Sequence, residues 1–343
     1  MIMPSVKYLF VLTSSPKDFF CEQTLVAIAS LRDHNPNAFV TLLTDDKTAA
    51  TLTSGSRAAL KEAVDELKVL TLDEKFTPML RSRYLKTVMR NEVDGDFLYM
   101  DSDIAIVDDL SIPEEWRGGI YAVLDFHTNL SKAINRKKIL NNAKMMGFSP
   151  ILNDEIFNGG VMFAADTQEA RDFFKTWHEL WLYCVSKNFP YDMASLAETN
   201  YKFGYVTKKM DGGWNCQLAY GNRFLPTAKV LHFFGSRIID TRGCKVPESM
   251  NLFLPKILRK DFYTNLKNLP VTVDVDKSIH INEYYDDVIL HAKEAFEFQT
   301  RKVGAAGAYI IRSYAFAKSL AWLYKHLPIL VKPLHILGAI IGK

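Results

Sequence analysis

Short apolar runs separated by longer stretches of helical spacing fill the first half of the chain. Residues 7–13 (Lys-Tyr-Leu-Phe-Val-Leu-Thr) run into Ser14-Ser15-Pro16, a strand followed by turn chemistry. A helix is expected over about 18–33, a second strand over 39–44 capped by Asp45-Asp46, and a second helix over 56–68. Strands that are apolar throughout, alternating with helices, imply a mainly parallel sheet covered on both faces. A further helix over about 79–91 carries Arg81, Arg83 and Lys86 and leads into Phe97-Leu98-Tyr99-Met100-Asp101-Ser102-Asp103-Ile104-Ala105-Ile106-Val107. There two carboxylates interrupt what otherwise reads as one continuous buried strand.

Beyond that point the pattern loosens. A strand is expected over 120–124, a polar segment rich in Asn and Lys over 129–144, and Asn158-Gly159-Gly160 before a strand at 161–164. A long aromatic helix over about 167–187 precedes Asp192-Met193-Ala194-Ser195-Leu196, Trp214-Asn215-Cys216-Gln217 and Val230-Leu231-His232-Phe233-Phe234-Gly235. Residues 240–280 show no clear period.

Ionised carboxylates inside an apolar strand need compensation, and a divalent cation is a common compensator. Asp-x-Asp alone is a weak signal, because the chain also contains it at Asp94/Asp96 and Asp274/Asp276. Only Asp101/Asp103 follows an unbroken apolar strand. In extended backbone, residues i and i+2 point the same way, so the pair is expected to reach one ion, or one ion plus a ribose. His232, at the end of another apolar run, is the best third ligand, and carboxylates with imidazole suit Mn²⁺ or Mg²⁺. Ligands in open α/β sheets sit outside the carboxyl ends of the strands, which makes Thr13, Asp45 and Asp101 expected neighbours in one crevice.

Composition adds limits. With 48% hydrophobic and 24% charged residues, the 343-residue chain can bury a large core. Four cysteines without a CxxC pairing suit a reducing compartment, and the first 13 residues lack the marks of a secretory signal. No run of 18 uncharged apolar residues occurs, so no spanning helix is expected. Charge is uneven: seven of the 42 basic residues follow Glu297, where there is no acid, leaving 35 basic against 39 acidic residues before it. Lys318, Lys325 and Lys332 recur every seven residues among Tyr314, Phe316, Leu320, Trp322 and Leu323, the pattern of an interfacial helix that favours anionic lipid.

Taken together, Phe97–Asp103, Arg83 upstream, Phe157-Asn158-Gly159-Gly160-Val161-Met162, Asp192 and His232-Phe233-Phe234-Gly235 resemble the motifs of GT-A glycosyltransferases, specifically family 8, typified by glycogenin and bacterial lipopolysaccharide galactosyl- and glucosyltransferases. The resemblance spans residues 7–237. Met193 stands where that family has Gln, and Arg237-Ile238-Ile239 replaces its Lys-Pro-Trp. The resemblance implies an α/β fold, a Rossmann-like nucleotide-sugar-binding mixed sheet flanked by helices, over residues 1–240. An extension with a helix would follow over 241–300, and an amphipathic tail over 301–343. It implies Asp101, Asp103 and His232 as metal ligands, Thr13 and Ser14 as contacts to uracil or ribose, and Arg83, Lys86, Ser102, Asn158, Gly159, Gly160 and Gly235 around the donor. Asp192 would be catalytic; an N-cap for the following helix is the other role its position allows.

The implied activity is metal-dependent transfer of a sugar from a UDP-sugar to a glycan or lipid-linked acceptor, with retention, in surface polysaccharide or glycolipid synthesis. The expected location is the cytoplasmic face of the cell membrane, with no nucleic-acid partner. Two other readings fit parts of the pattern. One is a haloacid-dehalogenase-like phosphatase, which would have Thr where Ala105 stands; the other is an inactive GT-A-like glycan-binding or scaffold protein.

Overall fold

The apolar runs form the strands of two sheets in a computed structural model that describes residues 6–232, apart from 17, 19, 134, 150–152, 218–223 and 225–226. In chain order the elements are β1 (Lys7–Leu12), α1 (Phe20–His34), β2 (Phe39–Asp45), the short α2 (Asp46–Ala49), α3 (Gly55–Glu62), β3 (Glu66–Leu70), α4 (Pro78–Glu92), β4 (Phe97–Met100) and β5 (Ile104–Ile106). There follow β6 (Ile120–Leu124), α5 (Arg136–Met145), β7 (Phe157–Ala164), α6 (Gln168–Ser186), α7 (Met193–Lys202), β8 (Thr207–Lys209), β9 (Cys216–Gln217) and β10 (Val230–His232).

The larger sheet has the order β3-β2-β1-β4-β7-β6-β8, and a smaller one has β5-β10-β9. Pairing is parallel from β3 to β4 and antiparallel at β4–β7 and β7–β6. β1 shows why its run is apolar throughout. Tyr8, Phe10 and Leu12 face a core with Val26, Leu42, Leu98 and Met100, whereas Leu9 and Val11 face a second core with Leu43, Leu85, Met89 and Phe174. A strand covered on both faces has no polar side to alternate with.

Helix ends follow local chemistry. Thr77 caps α4 by accepting from the Leu80 N–H at 3.3 Å, with Pro78 at the first helical position. Thr167 caps α6 by accepting from Ala170 N–H at 3.2 Å. Trp177 and Trp181 of α6 are fully buried and donate to the carbonyls of Asp192 and Pro190 at 3.2 and 3.0 Å, pinning the loop before α7.

Several expectations change. The helix expected over 56–68 stops at Glu62, and residues 66–70 become the edge strand β3. Asp65 fixes that switch, donating its N–H to Val40 O at 2.9 Å and accepting from Val40 N–H at 2.7 Å. The run 97–107 is two strands in different sheets, with Asp101-Ser102-Asp103 at the bend between them. The strand expected at 161–164 begins earlier, so Asn158, Gly159 and Gly160 lie inside β7, where its register with β6 jumps between Ala122 and Val123. Part of the polar segment over 129–144 is helix α5. Gly235, the 241–300 extension and the 301–343 tail lie outside the described residues. Among the described residues no helix is long and apolar enough to cross a membrane.

Candidate active site

The parallel strands β2, β1 and β4 end side by side, so Asp45, Thr13 and Asp101 come to one end of the sheet, as the alternation of elements predicts. At the β4–β5 bend the two carboxylates meet because the backbone turns, not because it is extended. Asp101 is held in place by its N–H donating to Gly160 O at 2.7 Å, which ties the end of β4 to β7. Asp103 leads into β5, whose antiparallel pairing with β10 sets Ile104 opposite His232. One ligand atom from each of Asp101, Asp103 and His232 lies within 4.8 Å of the other two. His232 Nε2 is 3.4 Å from Asp103 Oδ1 and 3.9 Å from Asp101 Oδ2.

Burial pushes the His232 imidazole down, but the Asp103 carboxylate, with Asp101 behind it, outweighs burial and holds its pKa above the usual value. Asp103 mirrors this: burial raises its carboxyl, and the imidazole brings it below the ordinary range. The carboxylates also face cations from α4, where Arg83 and Lys86 are three residues apart on one side of the helix. Lys86 Nζ donates to Asp101 Oδ1 at 3.2 Å and lies 3.9 Å from Asp192 Oδ2. Arg83 Nε is 3.3 Å from Asp192 Oδ1, and that carboxylate raises the Arg83 pKa despite burial. Tyr99, a residue that sequence reasoning missed, donates its hydroxyl to Asp101 Oδ1; burial first, then this carboxylate, lifts the phenol well above its ordinary pKa.

Asp192 occupies the N-cap position of α7 yet makes no capping hydrogen bond. Its carboxylate is turned toward Arg83 and Lys86 instead, so the position serves the cluster rather than the helix.

The two glycines of β7 let the side chains of the cluster pack close against the strand. A Cβ on Gly160 would lie 2.4 Å from His232 Cε1 and 2.9 Å from Asp101 Oδ2, and one on Gly159 would lie 3.4 Å from Lys86 Cε. Any side chain at 160 would force His232 or Asp101 to shift. Asn158 lies behind the glycines and is buried: its Oδ1 accepts from Gly160 N–H and from Asn215 Nδ2, each at 2.9 Å. Its Nδ2 donates to Asp125 Oδ1 at 2.9 Å.

The Asn215 amide therefore has its nitrogen committed to Asn158, which leaves its Oδ1 as the acceptor facing His232 Nδ1 at 2.9 Å. A carboxylate thus orders a chain of amides that puts a proton on Nδ1 and presents the other ring nitrogen to Asp101 and Asp103. Two oxygens and one imidazole nitrogen, oriented in this way, fit a hard divalent cation.

Thr13 and Ser14 belong to a separate, buried network. Thr13 Oγ1 donates to Asp45 Oδ2 at 3.1 Å, and Arg81 pairs with the other oxygen of Asp45. Ser14 Oγ donates to Asp18 Oδ1 at 2.6 Å and accepts from Arg57 Nη1 at 3.0 Å. Ser102 sits half-buried at the bend between the two carboxylates. Among the residues sequence reasoning missed, Asp125 carried a usable signal, since it closes the apolar run 120–124 as Asp45 closes 39–44, and Tyr99 carried none; Asn215 stood out only as part of the segment 214–217.

No family model matches the chain, and no curated protein matches it. Solved glycosyltransferase structures are similar to it at low identity. The bifunctional glycosyltransferase WbbM, in its apo form, shares 14% identity over 68% of this chain and 47% of its own, with a TM-score of 0.46. The glycosyltransferase GlyE of Streptococcus pneumoniae TIGR4 shares 16% over 83% of this chain and 65% of its own, with a TM-score of 0.47. Galactosyltransferase LgtC, in complex with donor and acceptor sugar analogues, shares 15% over 79% of this chain and 99% of its own, with a TM-score of 0.46. The chain spans about half the length of WbbM and just under two thirds of GlyE.

Proposed function

We propose that the chain is a metal-dependent glycosyltransferase that takes a UDP-sugar as donor and passes the sugar to a glycan or lipid-linked acceptor, with retention of anomeric configuration. The observation that carries this reading is the convergence of Asp101, Asp103 and His232 within 4.8 Å at the carboxyl end of β4. The motifs around these residues add the donor class and the stereochemistry by resemblance.

In this reading Asp101, Asp103 and His232 hold Mn²⁺ or Mg²⁺. When bound, the cation offsets the negative charge that builds on a diphosphate leaving group. Arg83 and Lys86 project from one face of α4 toward the same place, so cations meet the anionic donor from the side opposite β10. Asp192, oriented by these two cations, is a carboxylate available to the positive charge that develops on the departing sugar. Gly159 and Gly160, lacking side chains, leave room for Lys86, His232 and Asp101 to gather beside β7.

Release of UDP from a panel of UDP-sugars tests the reading, measured with Mn²⁺ and with EDTA, with and without glycan acceptors. The expected result is Mn²⁺-dependent release that falls at least a hundredfold in Asp103→Asn. Equal release by the variant, or by the wild type in EDTA, contradicts the assignment of the site.

A further inference from the structure

Helix α5 presents a cationic face that the proposed chemistry does not use. Residues 126–153 contain Lys132, Arg136, Lys137, Lys138 and Lys144 and neither Asp nor Glu. The helix packs Ile139, Leu140 and Ala143 inward, where the first two join Phe126, Leu130, Ala133, Ile156 and Met193 in a small core of their own. At about 100° per residue the opposite side carries Lys137, Lys138, Asn141, Lys144 and Met145. All five are exposed, Met145 by 65%, the largest value for an apolar side chain among the described residues.

Acids bordering this segment are otherwise engaged: Asp125 accepts from Asn158 Nδ2 at 2.9 Å. Asp154 binds the Ser131 N–H and hydroxyl at 2.5 and 2.6 Å, and Glu198 accepts from Ser149 N–H at 2.7 Å. Among the described residues no ion pair involves Lys137, Lys138 or Lys144. Three uncompensated lysines around a protruding Met gain nothing from folding, and like charges this close on one helix repel.

We propose that this face of α5 docks on an anionic lipid bilayer. The face is solvated, and its exposed cations are spread around an exposed apolar side chain, which suits an extended charged surface with an apolar boundary rather than a single small anion. Lysine stems keep their ammonium groups at the headgroups while the Met145 side chain enters the apolar boundary. The inner side of α5 touches Phe126, next to Asp125, and Met193, next to Asp192, so the docked helix belongs to the same packed body as the cluster. This surface is separate from the basic 301–343 tail and requires no enzymatic activity.

The test is co-sedimentation of the full chain with vesicles of phosphatidylcholine, alone or mixed with phosphatidylglycerol, at two salt concentrations. The wild type is expected to bind the anionic vesicles, less so at high salt. Lys137→Glu/Lys138→Glu/Lys144→Glu is expected to reduce the partition coefficient at least tenfold, and Met145→Ser to reduce it severalfold. A net-charge-matched control, Lys61→Glu/Lys175→Glu/Lys187→Glu, should change it by less than threefold. The proposal is overturned if the α5 variant binds like the wild type, if the control loses as much, or if phosphatidylcholine alone binds equally. Unchanged circular dichroism and Tm in the α5 variant exclude unfolding as the cause; if it unfolds, Lys137→Gln/Lys144→Gln decides by the same criterion.

Discussion

The imidazole of His232 has one nitrogen bound to Asn215 and the other aimed at two carboxylates, so its chemistry depends on which nitrogen carries the proton. Asn215→Leu removes the acceptor at Nδ1 while keeping similar volume. We expect this variant to fold and to bind Mn²⁺ ten- to a hundredfold more weakly, the usual loss when a partner behind a metal ligand is removed; titration calorimetry would read this directly, and wild-type affinity would refute the relay. Gly160→Ala tests the close packing at β7, because its Cβ would lie 2.4 Å from His232 Cε1. Loss of Mn²⁺ binding with an intact far-ultraviolet circular dichroism spectrum is the expected outcome. The grouping of Asp101, Asp103 and His232 was legible in the sequence because Asp101 closes one apolar run, Asp103 opens the next and His232 closes a third. Asn158 was singled out too, but its link to Asn215 was not legible, since the two are 57 positions apart and only the fold brings them together.

Among the elements, α4 carries the most function for its length. One side holds Arg83 and Lys86 over the carboxylates, and another packs on α6, where the ring of Tyr84 meets His178 at 4.7 Å and Thr87 Oγ1 lies 2.8 Å from His178 Nδ1. Burial pushes the His178 imidazole down to about 4 from its ordinary 6.5. The folded chain therefore binds this proton less readily than the unfolded chain. The stability that the neutral imidazole contributes is complete above about pH 6.5 and drains away as the pH falls toward 4. Thermal melts should show Tm dropping through that window, with a shallower drop in His178→Gln; identical slopes would remove His178 from the account. Most elements were legible from apolar spacing. The edge strand β3 was not, because only the β2 edge beside it, bridged by Asp65, turns an otherwise helical segment into a strand. The split of residues 97–107 was equally hidden, since β5 takes its partner from β10, more than a hundred positions away.

At the scale of the whole molecule, the larger sheet brings the carboxyl ends of parallel strands together. The smaller sheet swings in one imidazole from the far end of the described chain. Each sheet alone supplies an incomplete ligand set. Asp101 closes a strand of the first, while Asp103 and His232 border strands of the second, so the site exists only where the two sheets meet. The cations of α4 and the carboxylate before α7 then surround that junction with opposed charges. The most direct test is to count Mn²⁺ bound per chain by electron paramagnetic resonance in the wild type, Asp101→Asn and His232→Ala. One tightly held ion in the wild type, lost in both variants while their folds persist, is the predicted result. An unchanged count in the variants, or no tightly held ion in the wild type even with UDP present, would contradict it.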